Sequence, residues 1–259
     1  MQNDWHCYHF DIVSAFVNAP LEETIYVSLP PEAGPHRRLA RLRKSLYGLK
    51  QAASTWAAAS DRLLMSLPGM RRSASEPAWY VFNSDDGVVA HILVYVDDYM
   101  VCCNSPEWYE WFVDSFRKTY DLNDLGKLSN VLGMGVDWGD GRVALSRRVP
   151  IERTLEKFGL TDARPSMYPL EPGNVLKLPQ TCDTDKPFLD LLSELRYHAR
   201  STRPDTNTAL SVLGRYSAKH HAEHFDLLKR VARYLKGTCT LPLVLQKGVG
   251  GADGALRLC

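Results

Sequence analysis

Apolar and polar positions alternate through WHCYHFDIV, residues 5 to 13, in a run rich in strand-forming residues. A period of two predicts a strand that carries Asp11 near its end. From Gln51 to Leu67 the spacing lengthens: Trp56, Leu63, Leu64 and Leu67 recur at helical intervals among alanines until Pro68 and Gly69 interrupt. This predicts a helix with one buried stripe. WYVF, NSDDG and VVAHILVYV then read as strand, glycine-containing turn and strand, and YMVCC follows Asp98 as a third strand. Ser105 and Pro106 supply an N-cap and a favoured first helical residue before EWYEWFVDSFRKTY. The order is strand, helix, hairpin, helix.

Farther along, NVLGMGVDW, GDG and RVALS predict another hairpin, and IERTLEKFG a short helix closed by Gly159. Five prolines between residues 165 and 187, without a clear period, predict a linker. In EHFDLLKRVARYLKGT the stripe Phe225, Leu228, Ala232 and Leu235 predicts a final helix ended by Gly237, with Lys229, Arg230, Arg233 and Lys236 off the stripe. GVGGADG follows as a frayed tail.

Composition narrows the classes. The 259 residues, 45% hydrophobic and 24% charged, suit a packed globular chain and exclude disordered and fibrous classes. A net charge of +1 supplies no global attraction to nucleic acid or to an anionic membrane, so a polyanion would need a local basic patch. The six cysteines show no CxxC spacing and read as free thiols in a reducing, intracellular setting. No run of about 18 apolar residues could span a membrane, and the polar start MQNDWHCYHF is not a signal peptide.

Two pairs of adjacent aspartates stand out against this background. Asp85 and Asp86 sit between Ser84 and Gly87, the composition of an exposed turn, and require no function. Asp97 and Asp98 lie in the apolar run HILVYVDDYMVCC with neither Gly nor Asn beside them, although a tight hairpin needs positive φ at its centre. Adjacent carboxylates repel unless protons or cations are shared, and hard divalent cations favour carboxylate oxygens and phosphates. The bland alternative is an unusual turn. Asp11, in FDIVSAF, is a third acid in an apolar run, and its bland reading is a strand-end cap. Neighbouring antiparallel strands could bring Asp11 to the Asp97 hairpin and hold two metals about 3.5–4 Å apart, as in nucleotidyl transfer. HRRLARLRKSLYGLK, residues 36 to 50, adds Arg37, Arg38, Arg41, Arg43, Lys44 and Lys50 without one acid, which suits phosphate neutralisation or a solvated face.

These segments together resemble the reverse transcriptases of copia-type retrotransposons. FDIVSAFVNAPLEETIYVSLPP resembles the first palm motif, RLRKSLYGLKQAASTW the second and LVYVDD the third. DLNDLGKLSNVLGMGV resembles the later palm and primer grip, and STRPD with LKRVARYLKGT the connection. The resemblance implies an α+β fold: an antiparallel palm sheet flanked by helices, then a small helical thumb and connection. It divides the chain into a palm at 1–140, a thumb-like segment at 141–170, connection helices at 171–240 and a flexible tail at 241–259. It further implies RNA-directed DNA polymerisation, with Asp11, Asp97 and, more peripherally, Asp98 holding two Mg²⁺ ions, or Mn²⁺ in their place. Phe16 would lie beneath the sugar and exclude a 2′-hydroxyl. Tyr47, Gly48 and Lys50 would line the nucleotide pocket; Leu132, Gly133 and Met134 would place the primer end. The implied partners are an RNA template, a DNA primer, deoxynucleoside triphosphates and the rest of a Pol polyprotein (fingers, ribonuclease H, integrase). The implied location is the cytoplasm or virus-like particles.

The pattern departs from the family at Ala53, where Pro is usual, and at Ala19, where Gly is commoner. The fingers are expected upstream of this chain, and no ribonuclease H activity is expected from it. An inactive remnant that keeps the palm fold is one alternative. A transition-metal module built on HCYH (6–9) or KHHAEH (219–224), with His220 and His224 on one helical face, is another, although neither has the third ligand or the HExxH spacing of a metal site.

Overall fold

The computed structural model describes residues 5–34, 39–139, 141–171, 186–247 and 256–258. Its contacts divide the chain into two compact units, Met1–Leu128 and Ser129–Cys259.

In the first unit β1 (His6–Ile12) is followed by the short α1 (Ala15–Asn18) and by β2 (Tyr26–Ser28) and β3 (Leu39–Arg41), which pair with each other. Then come α2 (Ala52–Ser66), β4 (Met70–Arg72), β5 (Trp79–Asn83), β6 (Val89–Tyr95), β7 (Asp98–Cys103), α3 (Pro106–Arg117) and β8 (Leu122–Lys127). Six strands form one antiparallel sheet in the order β4-β5-β6-β7-β1-β8. The alternation read from the sequence selects the faces. Phe10 and Ile12 of β1, Ile92 of β6, and Tyr99, Val101 and Cys103 of β7 point into a core shared with Trp56 and Leu64 of α2 and Phe112 and Phe116 of α3. The Phe10 ring stacks on Tyr99 at 4.7 Å and meets Phe116 edge-on at 5.4 Å. Full burial of each such ring stabilises the unit by about 1.5–3 kcal/mol. Ser105 caps α3 as expected, its hydroxyl accepting from the Trp108 N–H at 3.2 Å.

Both long helices contribute to that one core. The opposite face carries Cys7, His9 and Asp11 on β1, Asp98, Met100 and Cys102 on β7, and His91, Leu93 and Tyr95 on β6, with Leu93 42% and Tyr95 57% exposed. An antiparallel sheet can leave one face to solvent, unlike a parallel sheet covered on both sides.

The second unit contains a five-stranded sheet, β13-β12-β11-β10-β9, made from β9 (Asn130–Val131), β10 (Met134–Gly139), β11 (Arg142–Ser146), β12 (Leu243–Lys247) and β13 (Leu256–Leu258). Four helices, α4 (Arg148–Lys157), α5 (Phe188–Ser201), α6 (Asn207–Gly214) and α7 (Ala222–Gly237), enclose a separate core of Ile151, Phe188, Leu195, Leu213 and Leu228 among others. The hairpin at 130–146 and the helices at 148–157 and 222–237 follow the sequence reading. Leu243–Lys247 differs from it: rather than fraying, it pairs antiparallel with β11. The GVGGADG stretch, and residues 172–185 of the proline-rich segment, lie outside the described residues.

Candidate active site

The open end of the first sheet gathers the acids. Asp11 is the direct cross-strand partner of Asp98, and the Ile12 N–H donates to the Asp97 carbonyl at 2.9 Å. That main-chain bond marks Ile12 and Asp97 as a hydrogen-bonded pair. The next rung, Asp11 with Asp98, is then a non-hydrogen-bonded pair, where side chains approach most closely. The sequence places Asp97 and Asp98 together at a hairpin tip; the structure separates their roles. Tyr95 pairs with Asp98, so the two-residue turn is Val96–Asp97, and Asp98 opens β7.

Val96 has φ of 58°. A β-branched residue in the left-handed region is a genuine outlier, and a turn of this kind ordinarily takes glycine there. The strained peptide is held from behind: the buried Trp56 indole of α2 donates to the Val96 carbonyl at 2.6 Å. Asp97 is thus fixed from two sides, by α2 through Val96 and by β1 through its own carbonyl.

The electrostatics agree with the crowding. Burial, chiefly, and then the charges of Asp97 and Asp98 raise the Asp11 carboxyl above its ordinary value, against a hydrogen bond with Asn123 and the neighbouring His9, which lower it. The buried His9 ring places Nε2 2.8 Å from Asp98 Oδ1. His9, Asn123 and Trp56 are site neighbours that the motif reading does not name. Alternation alone could have flagged His9, two residues from Asp11 and therefore on its face.

The other expected site residues fall as follows. Phe16 of α1 meets the exposed Tyr47 ring at 4.7 Å. Gly48 has φ of 94° with nothing within 4 Å of a Cβ placed there, and Lys50 is exposed. Arg41 ends β3, Arg43 and Lys44 are exposed, and the chain here is tied by Ser45 N–H donating to the Ala19 carbonyl at 3.0 Å. Arg37 and Arg38 lie outside the described residues. Leu132, Gly133 and Met134 belong to the second unit, at the β9–β10 turn. Leu132 and Gly133 both have positive φ there, and Arg147 Nη1 donates to the Leu132 carbonyl at 3.2 Å. His220 stacks on Phe188 at 4.4 Å and His224 against Tyr216 at 4.2 Å, as packing groups of the helical core.

Among the described residues no three His, Cys, Asp or Glu side chains converge as a metal-binding group, and no helix is long and apolar enough to cross a membrane. What fits a hard cation is the donor chemistry: two directly opposed carboxylates and a third on the adjoining turn, with the Asp11 carboxyl raised by burial first and by its neighbours' charge second.

An antiparallel sheet packed by helices on one face, with acids opposed across β1 and β7 beside a strained hairpin turn, defines an α+β protein. Residues 1–172 match the family described as reverse transcriptase (RNA-dependent DNA polymerase), and the chain belongs to that family. It is 30% identical over 261 residues to the retrovirus-related Pol polyprotein from transposon TNT 1-94 of Nicotiana tabacum, covering 95% of this chain and 19% of that protein. Against the Pol polyprotein from transposon RE1 of Arabidopsis thaliana the identity is 29%, over 96% of this chain and 17% of the relative. A transposon Ty5-1 protein of Saccharomyces cerevisiae is 29% identical, over 92% of this chain and 79% of its own length. The chain therefore spans about a fifth of the Pol polyproteins it matches.

Proposed function

We propose that this chain is the palm, thumb and connection part of an RNA-directed DNA polymerase, joining deoxynucleotides to a primer 3′-hydroxyl on an RNA template. The observation that carries the reading is the cross-strand pairing of Asp11 with Asp98, with Asp97 bound through its main chain to the same strand. Asp11 and Asp97, with Asp98 at the margin, would hold two Mg²⁺ ions, or Mn²⁺. Bound there, the ions would supply charge neutralisation for the attacking and leaving oxygens. The residues' own part would be to bring three carboxylates together against their repulsion, and a rigid turn would limit reorganisation at the moment of reaction.

Phe16 and Tyr47, already in contact, would form the floor and wall of a nucleotide pocket. Phe16 would exclude a 2′-hydroxyl, Gly48 would allow close approach of the backbone and Lys50 would meet phosphate. Arg37, Arg38, Arg41, Arg43 and Lys44 would follow the template backbone. Leu132, Gly133 and Met134, in the second unit, would grip the primer end. The fingers, ribonuclease H and integrase of a Pol polyprotein are the proposed covalent partners, and the cytoplasm or virus-like particles the proposed location.

The test is primer extension by this chain joined to its upstream fingers segment. Incorporation should require Mg²⁺, and Asp97→Asn should reduce it on the order of 10²–10³-fold with no loss of melting temperature. Asp85→Asn with Asp86→Asn should leave it within about twofold, since exposed substitutions away from a site have small effects. A joined protein that stays inert with all three acids intact would reduce the proposal to a palm fold without activity.

A further inference from the structure

We propose that Cys7 and Cys102 form a reversible disulfide that staples β1 to β7 across the open face of the palm sheet. The two are direct cross-strand partners, and their sulfurs lie 2.8 Å apart as thiols. Their rung has the right geometry. The Cys7 carbonyl accepts from the Leu128 N–H at 2.8 Å, on the side of Cys7 away from β7, so its main chain faces away from Cys102. Cys7 and Cys102 are thus a non-hydrogen-bonded pair, for which Cα atoms stand about 4.5 Å apart, inside the 4.4–6.8 Å range that a disulfide spans. Both residues are partly accessible, whereas neighbouring Cys103 is fully buried on the opposite face, its thiol donating to the Ser105 carbonyl at 3.2 Å.

The chemistry requires a two-electron oxidant, here hydrogen peroxide. The Cys7 thiol, held below its ordinary pKa chiefly by the hydrogen bond with Cys102, is the group that reacts first as thiolate. Its sulfur attacks one peroxide oxygen, the O–O bond breaks, and Cys7 becomes a sulfenic acid with release of water once a proton is taken up. The Cys102 sulfur then attacks the Cys7 sulfur, the S–O bond breaks, and the hydroxyl leaves with the Cys102 proton as a second water. Two thiols are oxidised and one peroxide is reduced to two waters. The bond would lock the register that sets Asp11 opposite Asp98, about 14 Å along the strands at 3.4 Å per residue.

The test is to treat the reduced full chain with dilute hydrogen peroxide, map its peptides without reduction and follow its melting. The expected result is loss of two of the six thiols, a single Cys7–Cys102 linked peptide pair, and a melting temperature higher by about 5 °C or more, all reversed by dithiothreitol. Cys7→Ser should keep all five remaining thiols reduced under the same treatment, while Cys103→Ser should still lose two. A map that links another pair, a sulfinic acid at Cys7 in place of the crosslink, or a lower melting temperature in the crosslinked protein would overturn the proposal. Because the wild-type map decides, a poorly folding variant does not obscure the answer.

Discussion

The two ends of β6 carry the same dipeptide in different settings. At one end Asp85 and Asp86 occupy a turn whose own glycine and serine meet most of its needs. Gly87 takes the positive φ of 88°, the Ser84 hydroxyl bonds the Asp86 carboxylate and accepts from the Val88 N–H at 3.1 Å, and Asn104 holds the Gly87 carbonyl at 3.0 Å. At the other end the positive φ falls on Val96, and the peptide is held by groups from elsewhere, the Trp56 indole and the Ile12 amide. A turn with its own glycine leaves its acids in solvent; a turn that puts a valine in that conformation and leans on its neighbours can aim them. The second arrangement costs backbone strain of about 1–3 kcal/mol, which the surrounding structure must offset.

Trp56→Phe should give the largest effect on that contrast. It keeps most of the ring but removes the donor, leaving the Val96 carbonyl unpaired, and should lower stability by about 1–3 kcal/mol in urea unfolding. A loss within error would mean that β1 alone secures the turn. Next come the two positive-φ positions, which should respond with opposite signs. Gly87→Ala meets no atom within 4 Å of its new Cβ, so its cost of about 1 kcal/mol would be conformational only. Val96→Gly should be neutral or stabilising, although it deletes a partly buried side chain, because it releases the strain. A loss of the size expected for ordinary valine truncation would show that Val96 is at ease.

The smallest effect is a pH dependence. The raised carboxyl of Asp11 means that the folded state holds its proton more tightly than the unfolded state does. Its contribution is fully present below the ordinary value of 3.8 and is lost as pH climbs through the raised folded value. Asp11→Asn should therefore flatten the decline of stability over that interval. The variant should also be the more stable protein at neutral pH, as read from melting curves across a pH series. Parallel curves for the two proteins would place the burden on another group.

Periodicity made much of this molecule legible. The alternation in residues 5–13 gives β1 and its faces, and Ser105 with Pro106 gives the start of α3, since both signals are local. The spacing of Phe188, Leu191, Leu192, Leu195 and Ala199 is equally helical and lies buried in α5, yet Pro187 and the prolines before it draw the eye to a linker. LVLQK is too short to declare itself, and only pairing with β11 makes it β12. The three acids can be picked out because they interrupt apolar runs. That Asp98, not Asp97, faces Asp11 follows from register and from a left-handed valine that local preference argues against. Whether the carboxylates can close on a metal is a matter of ångströms, which no spacing in a sequence conveys.

The strict two-sidedness of β7 bears on which lesions this segment can absorb. Tyr99, Val101 and Cys103 are fully buried, while Asp98, Met100 and Cys102 alternate with them on the other face. A point substitution at any of these positions disturbs one set of neighbours. Inserting or deleting a single codon within the strand would turn every following side chain over at once. Residues of the aromatic core would go into water, and polar ones would be driven against Phe10 and Phe116. Changes in the turn around Gly87 carry no such inversion. The strand is thus guarded more strictly in its length than in its composition.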